Sequence, residues 1–385
     1  MGWCTTFDLD QFAAAAGGYL RLRAAENTLL LSAAQAAWFR ARAQAQTAGQ
    51  HTAGQQPGAS GSGILAGWWA PPDGGDPRGA FLHDPAAPLL ISGRVPETAT
   101  ALAAILAKMG RHVSGVDAPI ETADAFAAAW SQRAGTTVRA HRSCRVYRLT
   151  GVPRGTPPPG TAVPPETGAW PPPGMPVPVG RLRVATAEDR TLLAGWLTAF
   201  ATEAAERIGS PSDMAADLIS YGGAVFWEVP RRSARFPDNA QYQAVPHHQD
   251  LAQFGEPAHR PVALATLTRP VAATVRISMV YTEPEHRRSG YAVALTQAVS
   301  RALLEGAAPV GVLGAAPGRG SVREVVMITD MNRPGQLAGR FGYQLVSERA
   351  VLRFGPATGP VPRAASTNSM PRLPTGPLPR LPRRP

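Results

Sequence analysis

A chain of 385 residues, 44% of them hydrophobic, is too apolar to be disordered and long enough for two domains with linkers. Its formal charge of +11 suggests a polyanionic partner, but five of those charges (Arg363, Arg372, Arg380, Arg383 and Arg384) lie in an acid-free tail, so the folded part is only moderately basic and a nucleic-acid partner is not expected. Cys4 and Cys144 are too few and too distant for a zinc framework, and no apolar run approaches the ~20 residues of a membrane span, so a reduced cytoplasmic setting with neither metal nor membrane is expected.

Residues 1–150 read as a mixed α/β domain. Periodicity predicts helices over Phe7–Ala25, Glu97–Met109 and Thr122–Arg133, and short strands near Ile64–Trp69, Pro88–Ser92 and Arg142–Leu149. Gln44–Gly63 is rich in Gln, Gly, Ala and Ser and reads as a mobile loop. Trp68, Trp69, Phe126 and Trp130 read as core, because large aromatic rings usually bury area. With no cluster of acids, bases or nucleophiles, this half reads as a scaffold or as part of the wall of a site in the other half.

Residues 151–179 carry Pro157-Pro-Pro and Pro171-Pro-Pro, a stiff connection between domains. Over 180–355 the chain predicts a strand at Leu182–Ala185, then a capping-box start at Thr186–Asp189. The helix that follows carries Leu192, Leu193, Trp196, Leu197 and Phe200 on one face and Glu203 and Glu206 in its last turns. Next come a helix over Ser212–Tyr221, a strand at Ala224–Val229, a long loop over 231–260 and strands at Pro261–Arg269 and Ala273–Tyr281. His247, His248 and Asp250 in that loop lack a metal-ligand spacing. A Gly-rich insertion at 309–321 lacks a phosphate-binding lysine. A fifth strand at Arg323–Thr329, a short helix at Pro334–Phe341 and a final strand at Gln344–Phe354 precede a solvated tail over 356–385.

Between strand and helix lies Arg287-Arg288-Ser289-Gly290-Tyr291-Ala292, and Ala292, Leu295, Val299 and Leu303 continue as one helical stripe. The first amides of a helix have no helical partner and the dipole adds positive charge, so this turn, flanked by His286, Arg287 and Arg288, suits a diphosphate. The same six residues also fit an ordinary basic connection in any α/β domain.

The stretch Arg287, Gly290, Ala292 resembles the Gln/Arg-x-x-Gly-x-Gly/Ala signature of the GNAT N-acetyltransferase superfamily. Val325-Val-Met-Ile-Thr-Asp-Met-Asn-Arg-Pro followed by Arg340-Phe-Gly-Tyr is similar to that family's fifth strand and last helix. The whole chain resembles a bacterial subgroup with an extra N-terminal α/β region, itself a candidate degenerate copy. The resemblance implies, over 180–355, a mixed, mostly antiparallel sheet flanked by helices. It implies direct acetyl transfer from acetyl-CoA to a primary amine, and no metal.

By the same resemblance Val280, Tyr281 and Thr282 would bond the pantetheine arm through their backbone. Arg287, Arg288, Ser289, Gly290, Tyr291, Ala292 and Val293 would hold the diphosphate, with Asn332 beside it. Ala338 stands where the family usually places its tyrosine acid, which leaves Tyr291, Tyr343 or water for that role. Glu203 is the candidate base, with Glu283 and Glu285 as alternatives. A catalytically weak acyl-CoA-binding regulatory module is the alternative function, and the acceptor amine and oligomeric state stay open.

Overall fold

The computed structural model describes residues 2–49, 63–71, 74–151, 178–204, 206, 208–230, 259–306, 322–331 and 342–356. The first half runs β1 (Gly2–Thr6), α1 (Leu9–Leu22), α2 (Thr28–Gly49), β2 (Leu65–Ala70), β3 (Ala80–His83) and β4 (Leu89–Ser92), then α3 (Pro96–Lys108), β5 (Gly115–Pro119), α4 (Ile120–Ala134) and β6 (Thr136–Leu149). The second half runs β7 (Arg181–Val184), α5 (Arg190–Ala204), α6 (Pro211–Ser220), β8 (Ala224–Pro230) and β9 (His259–Leu267). It ends with β10 (Thr274–Thr282), α7 (Tyr291–Glu305), β11 (Glu324–Asp330) and β12 (Gln344–Pro356). Among the described residues each half therefore repeats one order, a strand, two helices, three strands, a helix, a strand and a closing long strand, with α4 before the closing strand in the first half. The first half, by resemblance a candidate degenerate copy, lacks between β4 and α3 the Arg-x-x-Gly-x-Ala turn found at the start of α7.

All twelve strands form one sheet, in the order β1-β2-β3-β4-β5-β12-β6-β11-β10-β9-β8-β7. The two long strands are exchanged between the halves. β6 pairs antiparallel with β11 (Asp330↔Cys144, Val326↔Arg148), β12 pairs antiparallel with β5 (Arg349↔Pro119, Leu352↔Val116), and the two pair with each other from Gln344↔Arg148 to Pro356↔Thr136. Among the described residues only β4 with β5 and β10 with β11 run parallel, one such pair in each half.

Alternation along the strands sends successive side chains to opposite faces and so builds two helical layers. On one face α3 and α4 cover Leu65, Phe81, Ile91 and Val116, while α7 covers Val225, Ala263, Val275 and Val325. On the other, α1 and α2 cover Ala66, Ala80 and Leu82, and α5 and α6 cover Phe226, Leu264 and Met279. Between these last two pairs Ala25, in the α1–α2 connection, packs on Val146 and Val326 at the junction of the halves.

Local chemistry sets the ends of the helices. Asp8 accepts from the amides of Asp10 and Gln11 to start α1, Thr186 and Asp189 form a reciprocal capping box ahead of α5, and Ser210 caps α6 with Pro211 as its first residue. Gly135 (φ 60°) and Gly306 (φ 66°) stop α4 and α7 in the left-handed conformation. Three sequence expectations need correction. Residues 44–49 of the loop expected over Gln44–Gly63 are the end of α2, because Ala and Gln favour helix, and residues 50–62 lie outside the described residues. The helix expected over Phe7–Ala25 stops at Leu22, and the chain turns there to start α2. The loop expected over 231–260 is strand from His259, where β9 begins; its residues 231–258, the linker core, the 309–321 insertion, the helix expected at Pro334–Phe341 and the tail beyond Pro356 lie outside the described residues.

Candidate functional site

β10 and β11 run side by side from Thr274↔Glu324 to Ile277↔Met327, and there their ladder ends. A bulge at Ser278 shifts the register of β10 on β9, after which β10 stays with β9 as far as Thr282↔Ala263. β11 instead stays with β6 as far as Asp330↔Cys144. Beyond Ile277↔Met327 both strands continue but no longer pair with each other, and a wedge opens between Met279–Thr282 and Ile328–Asp330.

Strand alternation decides which groups line it. The Glu283 amide donates to the Val262 carbonyl at 3.1 Å, so Glu283 and Tyr281 turn their backbone towards β9 while Val280 and Thr282 turn theirs into the wedge. Arg287 Nε donates to the Thr282 carbonyl at 3.0 Å, as that orientation requires. Thr282 Oγ1 is buried with no hydrogen-bond partner among the described residues, an orphan acceptor and donor beside the open edge. The Tyr281 ring is buried against Trp196 of α5, with centroids 5.6 Å apart. Val280 packs on the α7 side.

The turn that follows is built for close backbone approach. His286 and Arg287 amides bond back to Glu283 and Pro284, and Arg288 (φ 68°) and Gly290 (φ 80°) both adopt the left-handed region. For Arg288 that geometry is strained. α7 starts at Tyr291, and its first helical hydrogen bond runs from Ala294 to the Gly290 carbonyl at 3.0 Å, so the amides of Tyr291, Ala292 and Val293 precede any helical partner. Arg288 and Ser289 are exposed, and a Cβ on Gly290 would lie 3.3 Å from Pro178 Cγ, where the linker re-enters the fold.

The titratable groups at the mouth are paired across elements. Arg287 Nη2 donates to Glu203 Oε1 at 2.6 Å, tying the turn to the end of α5; that bond holds the guanidinium's pKa above its ordinary value. Arg142 of β6 donates to Glu206 Oε1 at 2.6 Å and feels the charge of Asp330, so a strand from the first half reaches this mouth. Cys144, opposite Asp330, is buried, and burial pushes its thiol up to about 11. Tyr291 packs its ring on the core and lies edge-on to His286, at 6.3 Å between centroids. Tyr343 is buried with its hydroxyl 2.8 Å from Ser300 Oγ, and burial raises its pKa well above the ordinary tyrosine value.

The structure thus brings together Val280, Thr282, Arg287–Val293 and Glu203, while Tyr281 meets them through its neighbours and Tyr343 points into the core beside α7. Asn332 and Ala338 lie outside the described residues. Arg142 and Asp330 were not anticipated: no local pattern shows that a strand from residue 136 onward lies beside β11. Among the described residues no group of His, Cys, Asp and Glu is arranged to hold a metal, and no helix is long and apolar enough to cross a membrane.

No protein-family profile and no curated protein matches the chain. Solved structures similar to it in fold include a GCN5-related N-acetyltransferase from Sphaerobacter thermophilus, at 15% identity and TM-score 0.42 over 78% of this chain and 82% of that one. A Drosophila protein is similar at 14% identity and TM-score 0.48 over 92% and 99% of the two chains. A tandem GNAT protein from the clavulanic acid biosynthesis pathway is similar at 15% identity and TM-score 0.37 over 77% and 84%. Likenesses of this size concern the path of the chain, and the chemistry is argued from the wedge itself.

Proposed function

We propose that the chain is an N-acetyltransferase of the GNAT kind, with residues 180–355 as the catalytic unit, acetyl-CoA as donor and a primary amine as acceptor. The observation that carries this reading is the divergence of β10 and β11 just before a left-handed glycine and a helix N-terminus. An open strand edge is suited to an extended chain with amide groups, and a row of amides without helical partners beside arginines is suited to a diphosphate. Pantetheine followed by a diphosphate has that sequence of groups. The residues fit it: Val280 and Thr282 offer backbone groups, Thr282 Oγ1 has no hydrogen-bond partner among the described residues, and the Tyr291, Ala292 and Val293 amides follow Gly290.

Bound acetyl-CoA supplies an acetyl group activated as a thioester; the chain has to orient the amine, take up its proton and exclude water. Glu203 is the base in this reading, which requires it to leave Arg287, and Arg287 then turns to the diphosphate. The pair is half-exposed and so costs little to part. The leaving thiolate needs little help from an acid, having a pKa of roughly 8 to 9 when protonated. Tyr291, within the turn itself, is the candidate for that role in this reading.

The engagement of Glu203 by Arg287 also favours a second reading, a regulatory module that binds acyl-CoA without fast turnover. Calorimetry with CoA and a thiol-release assay over a panel of amines separate the two. CoA binding lost in a folded Gly290→Glu variant, with acetylation of at least one amine by the wild type, is the expected result. Unchanged affinity in that variant removes the basis of both readings, and tight binding with no acetylation of any amine selects the module.

A further inference from the structure

The first half contains the same wedge, and it is shut. β4 and β5 run parallel only at Leu89↔Val116 and Leu90↔Asp117; β4 then follows β3 to Ser92 while β5 follows β12 to Pro119. The strands diverge after Asp117 as β10 and β11 diverge after Met327. Into this second opening β12 sends Arg349. Its Nη2 donates to the Asp117 carbonyl at 2.9 Å and to the Ile91 carbonyl at 3.3 Å, and its Nε donates to Asp117 Oδ1 at 2.7 Å. One guanidinium thus joins both diverging strands, and its side chain is only 5% exposed. A guanidinium so placed satisfies the carbonyls that an extended ligand would have to use.

The turn after β4 is closed as well. Only Gly93, Arg94 and Val95 separate Ser92 from Pro96, the first residue of α3, whereas eight residues separate β10 from α7. Proline contributes no amide there. The Val95 amide donates to Thr122 Oγ1 at 3.0 Å and the Thr98 amide to the Val95 carbonyl at 3.0 Å. A Cβ on Gly93 would meet Tyr19 Oη at 2.6 Å and the Arg78 carbonyl at 2.7 Å, so protein packs where Gly290 meets only the tip of Pro178.

We propose that the wedge of the first half is a permanently closed copy, stapled by Arg349 from the second half's own last strand, so that the chain takes one acyl-CoA although its fold repeats. The inference rests on the acyl-CoA reading of the β10/β11 wedge. Its content is stoichiometric: the repeat contributes strand β6 and Arg142 to the mouth of the working site and no second donor site.

The test is calorimetry and equilibrium dialysis of CoA against the full chain, the Gly290→Glu variant and, should that variant fold poorly, Ser289→Glu, which blocks the same turn without altering a left-handed residue. The expected result is one CoA per wild-type chain and none in the blocked variant. Two per wild-type chain and one in the blocked variant would overturn the closed copy and leave the reading of the second half standing. One per chain in both would put the ligand elsewhere and overturn both, and no binding by the wild type would end the acyl-CoA reading and this inference with it. The staple is tested separately in Arg349→Met and Asp117→Asn. Amide hydrogen exchange over residues 89–92 and 115–119 should speed up by at least tenfold in whichever variant folds, with CoA stoichiometry still one. Exchange unchanged in a folded variant, or a second CoA in it, would overturn the staple or the closed turn respectively.

Discussion

His83 is wholly buried in β3, and its two nitrogens are committed: Nδ1 accepts from Arg111 Nε at 3.1 Å and Nε2 faces the His112 carbonyl at 3.2 Å, to which it donates in that tautomer. Burial, and then the Arg111 charge, push the imidazole from 6.5 down to about 4. Between those values the unfolded chain binds a proton that the folded chain refuses. The associated stability is therefore fully present above about pH 6.5 and is lost as pH falls towards 4, a difference on the order of 3 kcal/mol. Melts between pH 7 and 4.5 should show the midpoint falling, and His83→Gln, which can still accept from Arg111, should flatten that slope; parallel curves would move the cause elsewhere. Glu203 makes a contrasting case at the same scale. Its half-exposed pair with Arg287 contributes roughly 0.2–1 kcal/mol, so Glu203→Gln should scarcely change the melting midpoint. If the carboxylate takes the amine's proton, turnover should fall by about 100-fold or more. Turnover within twofold of wild type would give proton removal to another group.

At the scale of elements, what the sequence made legible was whatever depends on neighbours in the chain. The capping box at Thr186 and Asp189 and the glycine at the start of α7 are local devices that form where their residues predict; of the face expected on α5, Leu193, Trp196 and Leu197 are buried and Phe200 partly so, while Leu192 is exposed. Strands β3 and β5 were not legible: they have four and five residues, and β3 is buried at every position, so neither shows a clean alternation. Helix α2 was hidden by its Ala and Gln content, which reads as loop when no single apolar stripe runs through it. That helix nonetheless binds the halves together. Arg276 of β10 donates to Ser32 Oγ at 3.2 Å, Gln35 donates to the Pro270 carbonyl at 3.2 Å, and Arg269 lies over the Phe39 ring at 5.2 Å. Arg276 Nε is buried without a partner among the described residues, and burial lowers the guanidinium's pKa to about 10. A charge held at such a cost should be replaceable by an apolar side chain of similar length. Arg276→Met should therefore keep or raise the melting midpoint. A drop of more than about 5 °C, roughly 3 kcal/mol or more for a chain of this size, would show that the cation itself holds the junction.

At the scale of the molecule, the exchanged strands decide what can fold alone. The proline-rich stretch at 151–179 separates two runs of elements in sequence, but strand partners are chosen by packing across the whole sheet, and no local pattern records that choice. Removing residues 1–151 would strip β12 of both its neighbours, β5 and β6, and would expose the edge of β11 from Val325 to Asp330. An unpaired edge flanked by an orphaned 13-residue strand invites aggregation, and the wedge loses the neighbour that draws β11 away from β10. Arg142 would be lost from the mouth as well, leaving Glu206 without its 2.6 Å partner. A fragment of residues 178–385 should accordingly be insoluble or bind CoA at least tenfold more weakly than the full chain. Co-expression with a separate 1–151 fragment should recover a soluble pair that co-purifies and binds CoA at full-chain affinity, because the sheet needs β6 beside β11 and does not need the linker to be continuous. Size-exclusion chromatography and calorimetry on the two preparations read this directly. A lone 178–385 fragment that is monomeric, cooperatively folded and equal to the full chain in CoA affinity would show that β12 can fold back into the place of β6, and that the exchange is one of two packings open to this chain.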